Sequence, residues 1–295
     1  SIGRKRKMKA RKWLLSLFVV CALVMAASGV MAHDLWLVPQ SYNPKVGDTL
    51  KVLVGFGHKY PASRIDEKMR PGMLQAVKAV APDGKMIKLV KKSEDEYALQ
   101  VKAKGSYLIC AQINPVFFSV VEGKRKRGNK KNLTGVKECT LYHLIANAPV
   151  FAGDASKKAA PAPAGQKLQV QPLADIAKLK KGDPLPVKVT LMGAPAAGVM
   201  VRATYAGYEP SPEALAKAKK VAPGLSPKEA ARKRMMQKMA LHNPVRVKTD
   251  AQGKANIKLS SPGWWLVSVS GDAPHPDAAT CDKNMYKTTY TFEVR

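Results

Sequence analysis

An all-β protein in two sandwich domains is the fold class this sequence predicts, and three observations predict it. Short runs alternate apolar and polar residues, as in Thr-Leu-Lys-Val-Leu-Val-Gly-Phe-Gly over 49–57. Turns rich in Gly, Pro and Asp separate these runs, and the chain carries 21 Gly and 21 Pro. A stretch low in bulky apolar residues, 153–165, divides the runs into two sets. Strands at this spacing argue for sandwiches of the immunoglobulin kind.

The chain has 295 residues and an apolar fraction of 46%, enough for a leader and two ordinary domains with a sizeable core. Residues 1–32 read as a signal peptide. Arg4, Lys5, Arg6, Lys7, Lys9, Arg11 and Lys12 form its basic start, 13–24 its apolar centre, and 26–32 its small-residue end. The apolar centre is shorter than the roughly 20 residues of a spanning helix. Val30 and Ala32 flank Met31, which suits cleavage after Ala32, with cleavage after Ala27 as the competitor. The expected mature protein is exported, periplasmic and soluble, and begins at His33. The formal charge is +29, and removal of the seven leader cations leaves +22. Such a balance suits an anionic envelope polymer as partner. Nucleic acid is not expected, because no binding motif is present and no aromatic residue interleaves the basic run at 124–131.

The first domain, 33–152, opens with a short strand at 34–39, ended by Pro39. Further strands are predicted at 49–57, 73–81, 86–90, 97–101, 105–110, 116–121 and 139–146. The basic run at 123–131 is an exposed hairpin or loop. Cys21 leaves with the leader, so Cys110, Cys139 and Cys281 allow at most one internal disulfide, of unassigned pairing. The segment 153–165 is the expected linker. The second domain, 166–295, repeats the order of turn and strands, with strands at 167–170, 187–191, 199–205, 263–269 and 286–294. At 249–255 a tight loop is expected, Gly253 supplying positive φ and Asp250 bonding back to the turn.

A segment near 209–243 departs from this pattern. Ser226-Pro227-Lys228-Glu229 is a capping box with proline in the first turn, so 230–241 should be a helical insertion, stopped before Pro244. Its Met235, Met236, Met239 and Leu241 are expected to pack as a stripe on the sandwich.

Ala32-His33-Asp34-Leu35-Trp36 carries the functional reading. Once cleaved, His33 would combine an α-amine and an imidazole on one residue, a bidentate ligand for a transition metal. His58 ends the strand 49–57, and pairing of that strand with 34–39 would bring the two histidines to one edge. Amine and imidazole nitrogens suit Ni(II), Cu(II) and Zn(II). Asp34 is a carboxylate ligand or an outer partner, and His275, in a Pro-His-Pro-Asp loop, is a third candidate ligand. His143 reads as a sheet residue and His242 as the end of a helix. No nucleophile elbow, zinc-protease helix, P-loop or dinucleotide motif is present, so no enzyme is expected. The catalytic alternative is a copper-dependent oxidase with an N-terminal histidine brace.

These residues carry a resemblance. Ala-His-Asp-Leu-Trp-Leu-Val-Pro at the start, Gly47-Asp48-Thr49, Gly55-Phe56-Gly57-His58, Lys181-Gly182-Asp183-Pro184, Gly263-Trp264-Trp265 and the closing Tyr286, Thr289 and Thr291 resemble exported proteins of the DUF4198 type. The resemblance spans nearly all of the mature chain and implies two immunoglobulin-like domains. It also implies a periplasmic component of a nickel or cobalt uptake system, with Ni(II) or Co(II) bound, Cu(II) as the alternative, and a membrane metal transporter as partner. The helical insertion lies beyond this shared pattern. A non-catalytic structural or adhesive module touching an anionic envelope polymer is the competing function.

Overall fold

A computed structural model describes residues 33–61, 69–153, 165–220 and 223–295. The expected signal peptide, 1–32, lies outside them, as does most of the expected linker. In chain order the strands are β1 (Asp34–Pro39), β2 (Thr49–Gly57), β3 (Lys78–Val80), β4 (Met86–Lys88), β5 (Val90–Lys91), β6 (Glu96–Gln100), β7 (Gly105–Gln112), β8 (Val116–Val121) and β9 (Lys124–Arg127). They continue as β10 (Val136–Ala152), β11 (Leu168–Pro172), β12 (Pro184–Leu191), β13 (Ala194–Pro195), β14 (Met200–Tyr205), β15 (Val245–Lys248), β16 (Lys254–Lys258), β17 (Gly263–Pro274) and β18 (Lys283–Val294). Helices α1 (Pro212–Lys219) and α2 (Pro227–Leu241) form the insertion between β14 and β15.

The fold is all-β and built of immunoglobulin-like sandwiches, with a small helical insertion. Its centre is a ten-stranded sheet whose main path is β15-β14-β17-β18-β10-β7-β3-β4. One four-stranded sheet, β1-β2-β6-β5, contributes to the first sandwich, and another, built from β11, β12, β13 and β16, to the second. The two sandwiches share the long sheet because β10 and β18 pair in parallel, from Thr140–Lys283 to Asn147–Tyr290. The described residues therefore differ from two tethered beads: His33–Arg295 is one compact unit.

Strand β18 shows how the layers are stacked. Successive side chains of a strand point to opposite faces. Tyr286, Tyr290, Phe292 and Val294 pack in the core with Leu168, Val170 and Val189 of β11 and β12. Lys287, Thr289 and Thr291 point the other way, to β1. A strand covered on both faces is buried almost throughout, and β18 is.

Several predicted elements differ in extent. The run 73–81 forms a strand only over Lys78–Val80, with a single bridge from Leu74 to Ile113 before it. Strand β10 is longer than expected and continues through Pro149, which pairs with Leu108 of β7. Proline is tolerated because β10 has already left β18 at Asn147, so Pro149 has a ladder partner on one side only. The basic run forms a hairpin, β8–β9. Strands β15 and β16 flank the tight turn expected near 249–255, and β16 begins inside it, at Lys254.

The capping box forms as expected. Glu229 N–H donates to Ser226 Oγ at 3.3 Å, and Ser226 N–H donates to Glu229 Oε2 at 3.0 Å. Two members of the expected stripe on α2 face solvent, Met235 at 54% and Met236 at 39% exposed, while Leu241 is half-buried. Lysines and arginines break the apolar periodicity of α2, so no continuous face is available to bury.

Candidate metal centre

The antiparallel register of β1 and β2 sets the site. Asp34 lies opposite Gly57, so the next residues outward, His33 and His58, meet at the end of the pair. Phe56 and His58 share one face of the extended chain, and His33 lies against both. Its ring stacks on Phe56 at a centroid distance of 4.9 Å and an interplanar angle of 18°. Its centroid is 4.0 Å from that of His58, with the planes tilted by 33°. Two imidazoles bound side by side to one metal, at about 2.0 Å per metal–nitrogen bond and right or tetrahedral angles at the metal, have centroids roughly 4.5–5 Å apart. The pair lies slightly closer than that, so the rings would part a little to share an ion.

The chain around His33 is fixed from below. Lys287, 1% exposed, donates from Nζ to the His33 carbonyl at 2.8 Å and to Asp34 Oδ1 at 2.8 Å. Two residues on, Thr289 Oγ1 donates to the Leu35 carbonyl at 2.5 Å, and Thr291 Oγ1 to the Leu37 carbonyl at 2.9 Å. Three alternate side chains of β18 thus bond three alternate carbonyls, that of His33 and those of Leu35 and Leu37 in β1. Ser268 Oγ of β17 donates to Asp34 Oδ1 at 2.8 Å. Burial pushes the Asp34 carboxyl up, but Lys287, Arg202 and Ser268 together hold it below its ordinary value. Burial also lowers Lys287, against the pull of Asp34. Asp34 is therefore engaged as the anchor of the first strand, the role of an outer partner rather than a ligand.

The remaining predicted ligand is elsewhere. His275 follows the end of β17, seven residues beyond Ser268, which at the rise of a strand is roughly 20 Å from the Asp34 contact. Its Nδ1 accepts from the Asp277 N–H at 3.1 Å, and its ring lies near Phe117. The structure joins His33 with His58 and leaves His275 apart. His143 is a sheet residue on β10, stacked on Tyr286 at 4.6 Å and bonded through Nε2 to Asn284 Oδ1.

Sequence reading missed His242. It follows α2 and lines a small cavity together with Asp34, His58, Tyr60, Tyr208 and Leu266. The sequence signal was a helix stop before Pro244, and nothing local ties that position to His58. It also missed Lys287, whose place in an alternating run gave no sign of burial on both faces. Among the described residues, no group of three or more His, Cys, Asp or Glu side chains is gathered closely enough to hold a metal. The donors as arranged are two imidazoles.

Cys139 and Cys281 form a disulfide, and Cys110 is a buried thiol whose pKa burial pushes up to about 12. No helix of the described residues is long and apolar enough to cross a membrane.

No curated protein matches the chain. Similar solved structures include the D0-D1 domain of intimin, with 12% identity over 88% of this chain and 97% of that chain, at a TM-score of 0.21. A two-domain fibronectin type-III segment from chicken tenascin has 13% identity over 88% and 97%, at a TM-score of 0.20. A family model described as a domain of unknown function, DUF4198, matches residues 30–273. That span holds both histidines, the strand pair that joins them and most of both sandwiches, and the chain belongs to the DUF4198 family.

Proposed function

We propose that this is an exported protein that binds a transition-metal ion at its mature N-terminus, as an accessory to a nickel or cobalt uptake system. The observation that carries the reading is the contact between His33 and His58 at 4.0 Å. Cleavage after Ala32 would add the α-amine of His33 as a further nitrogen donor. Nitrogen donors of this kind suit Ni(II) and Cu(II). The Lys287–Asp34 anchor supports it, since it fixes the residue that would otherwise fray at a terminus. The disulfide supports an oxidising compartment such as the periplasm. The protein is read as a binding protein and not an enzyme, the metal being its cargo.

The test begins with the N-terminal sequence of the exported protein, expected to start at His33. Calorimetric titration of that protein with Ni(II) or Cu(II) should give one site. His33→Ala, or one residue added ahead of His33, should abolish it. Binding should weaken below about pH 6, where imidazoles take up protons. An extended or alanine variant that binds as well as the mature protein would sink the reading.

A second reading has its own observation. Lys124, Lys126 and Arg127 on β9 are exposed, and Arg125 is stacked 3.9 Å over Phe118 and 4.7 Å over Tyr142. This ribbon of cations supports attachment to an anionic envelope polymer, which would be lost as salt is raised.

A further inference from the structure

The first sandwich has an open side. Strand β4 ends the ten-stranded sheet and β5 ends the four-stranded one, and the chain crosses from one edge to the other within Met86–Lys91. At these edges lies a groove of about 570 Å³. Buried Leu99 and Tyr107 form its floor, and half-buried Ile87 and exposed Val90 flank it. The Tyr107 hydroxyl donates to the Ala103 carbonyl at 3.0 Å and accepts from the Ala103 N–H at 2.9 Å, so the floor is fixed.

Backbone direction makes β4 a template. Residues of an antiparallel strand turn their N–H and C=O alternately toward the partner and away from it. The Ala81 N–H donates to the Lys85 carbonyl at 2.8 Å, and the Leu89 N–H to the Val77 carbonyl at 2.9 Å. The register of β3 and β4 then turns the backbone of Ile87 toward β3 and that of Met86 and Lys88 outward. Among the described residues β5 pairs with β6 at Tyr97 and Ala98 alone, so β6 is open on that side at Leu99 and Gln100. Lys85, Lys88 and Lys102 rim the groove, and Asp83 is the acid of its lining. Lys85 already bridges to Asp83 at 3.2 Å, whereas Lys88 and Lys102 are exposed and in no ion pair among the described residues.

We propose that this side of the first sandwich binds an extended acidic segment of a partner protein, which adds to β4 as a further strand. Alternate apolar side chains of the guest enter the groove, and the carboxylates between them meet Lys88 and Lys102. Lysines on an edge discourage pairing with a second copy of this chain, whose own edge carries the same sign. A strand of the opposite sign is drawn to them.

The experiment uses the mature protein and a labelled octapeptide of alternating valine and glutamate, followed by fluorescence anisotropy. This peptide should bind, and one of alternating valine and lysine should bind at least about tenfold more weakly. In Met86→Pro the outward N–H is lost while the ladder to β3 keeps all its bonds. The variant should keep its melting temperature and lose about tenfold in affinity for the acidic peptide, the scale of one hydrogen bond. Lys88→Glu should weaken the acidic peptide and strengthen the basic one. On hydrogen exchange, the acidic peptide should slow the amides of Met86 and Lys88. No binding of the acidic peptide, equal binding of the two peptides, or undiminished binding in both variants would overturn the proposal. A concentration-dependent dimer that Met86→Pro dissolves would overturn it too, by giving the edge to a second copy of this chain.

Discussion

Lys287 buries its ammonium inside the molecule, against an acceptor pair at the start of β1. A buried ammonium is costly unless its partners are fixed, and here Asp34 and the His33 carbonyl are both at 2.8 Å. Removing one member of such a pair leaves the other charge stranded. Lys287→Met should therefore destabilise the fold by about 3–5 kcal/mol, and Asp34→Asn added to it should recover part of the loss, both read from urea midpoints. The acid dependence has a definite sign. The Asp34 carboxyl is depressed in the fold, so its stabilisation is full above the unfolded value of about 3.9 and is lost as pH falls through the lower folded value. In Lys287→Met that acid limb should flatten. A variant with wild-type stability and the wild-type acid limb would show the pair to be incidental.

The elements that were legible in the sequence are those whose side chains alternate between core and solvent. Strand β2 has its predicted bounds because Leu50, Val52 and Val54 are buried while Lys51 and Leu53 face out. The pairing of β1 with β2 followed from two adjacent strands, and with it the meeting of His33 and His58. Elements buried on both faces were less legible, since β10 and β18 show no clean alternation. The insertion was legible at its cap, Ser226 and Glu229, and not in its destination beside His58. One close approach within the first pair makes a sharp test. Gly55 lies opposite Trp36, and a Cβ there would sit 1.9 Å from the indole Nε1. The indole cannot swing away freely, because Tyr60 meets it edge-on at 5.9 Å and Leu266 packs beside it. Gly55→Ala should cost about 1–3 kcal/mol through overpacking. It should also shift tryptophan emission and loosen the β1–β2 register that aligns the histidines. Unchanged stability and emission would mean that the indole has room the geometry denies.

At the scale of the whole molecule, two sandwiches joined by a tether and two sandwiches sharing a sheet make opposite claims about unfolding. A tether lets each domain melt alone, and two transitions follow. A shared sheet couples them, because β10 belongs to the first sandwich and β18 to the second, and each is the other's ladder partner over eight residue pairs. Residue patterns favoured the tether, since the proline- and alanine-rich stretch at 153–165 has the composition of a linker and parallel pairing between distant strands leaves no local mark. The disulfide sharpens the contrast. Cys139 and Cys281 sit beside the first parallel pair, Thr140–Lys283, and the bond spans 142 residues of sequence. It therefore fastens the junction itself. Calorimetry of the mature protein should show a single transition, with coincident loss of tryptophan fluorescence and far-ultraviolet circular dichroism. The double variant Cys139→Ser and Cys281→Ser should unfold with about 2–5 kcal/mol less stability. It should still unfold in one step, because the ladder and the buried face of β18 remain to couple the halves. Two resolved transitions in the intact protein would mean that the parallel pairing does not hold the sandwiches together. Two transitions only in the double variant would mean that the disulfide, and not the sheet, provides the coupling.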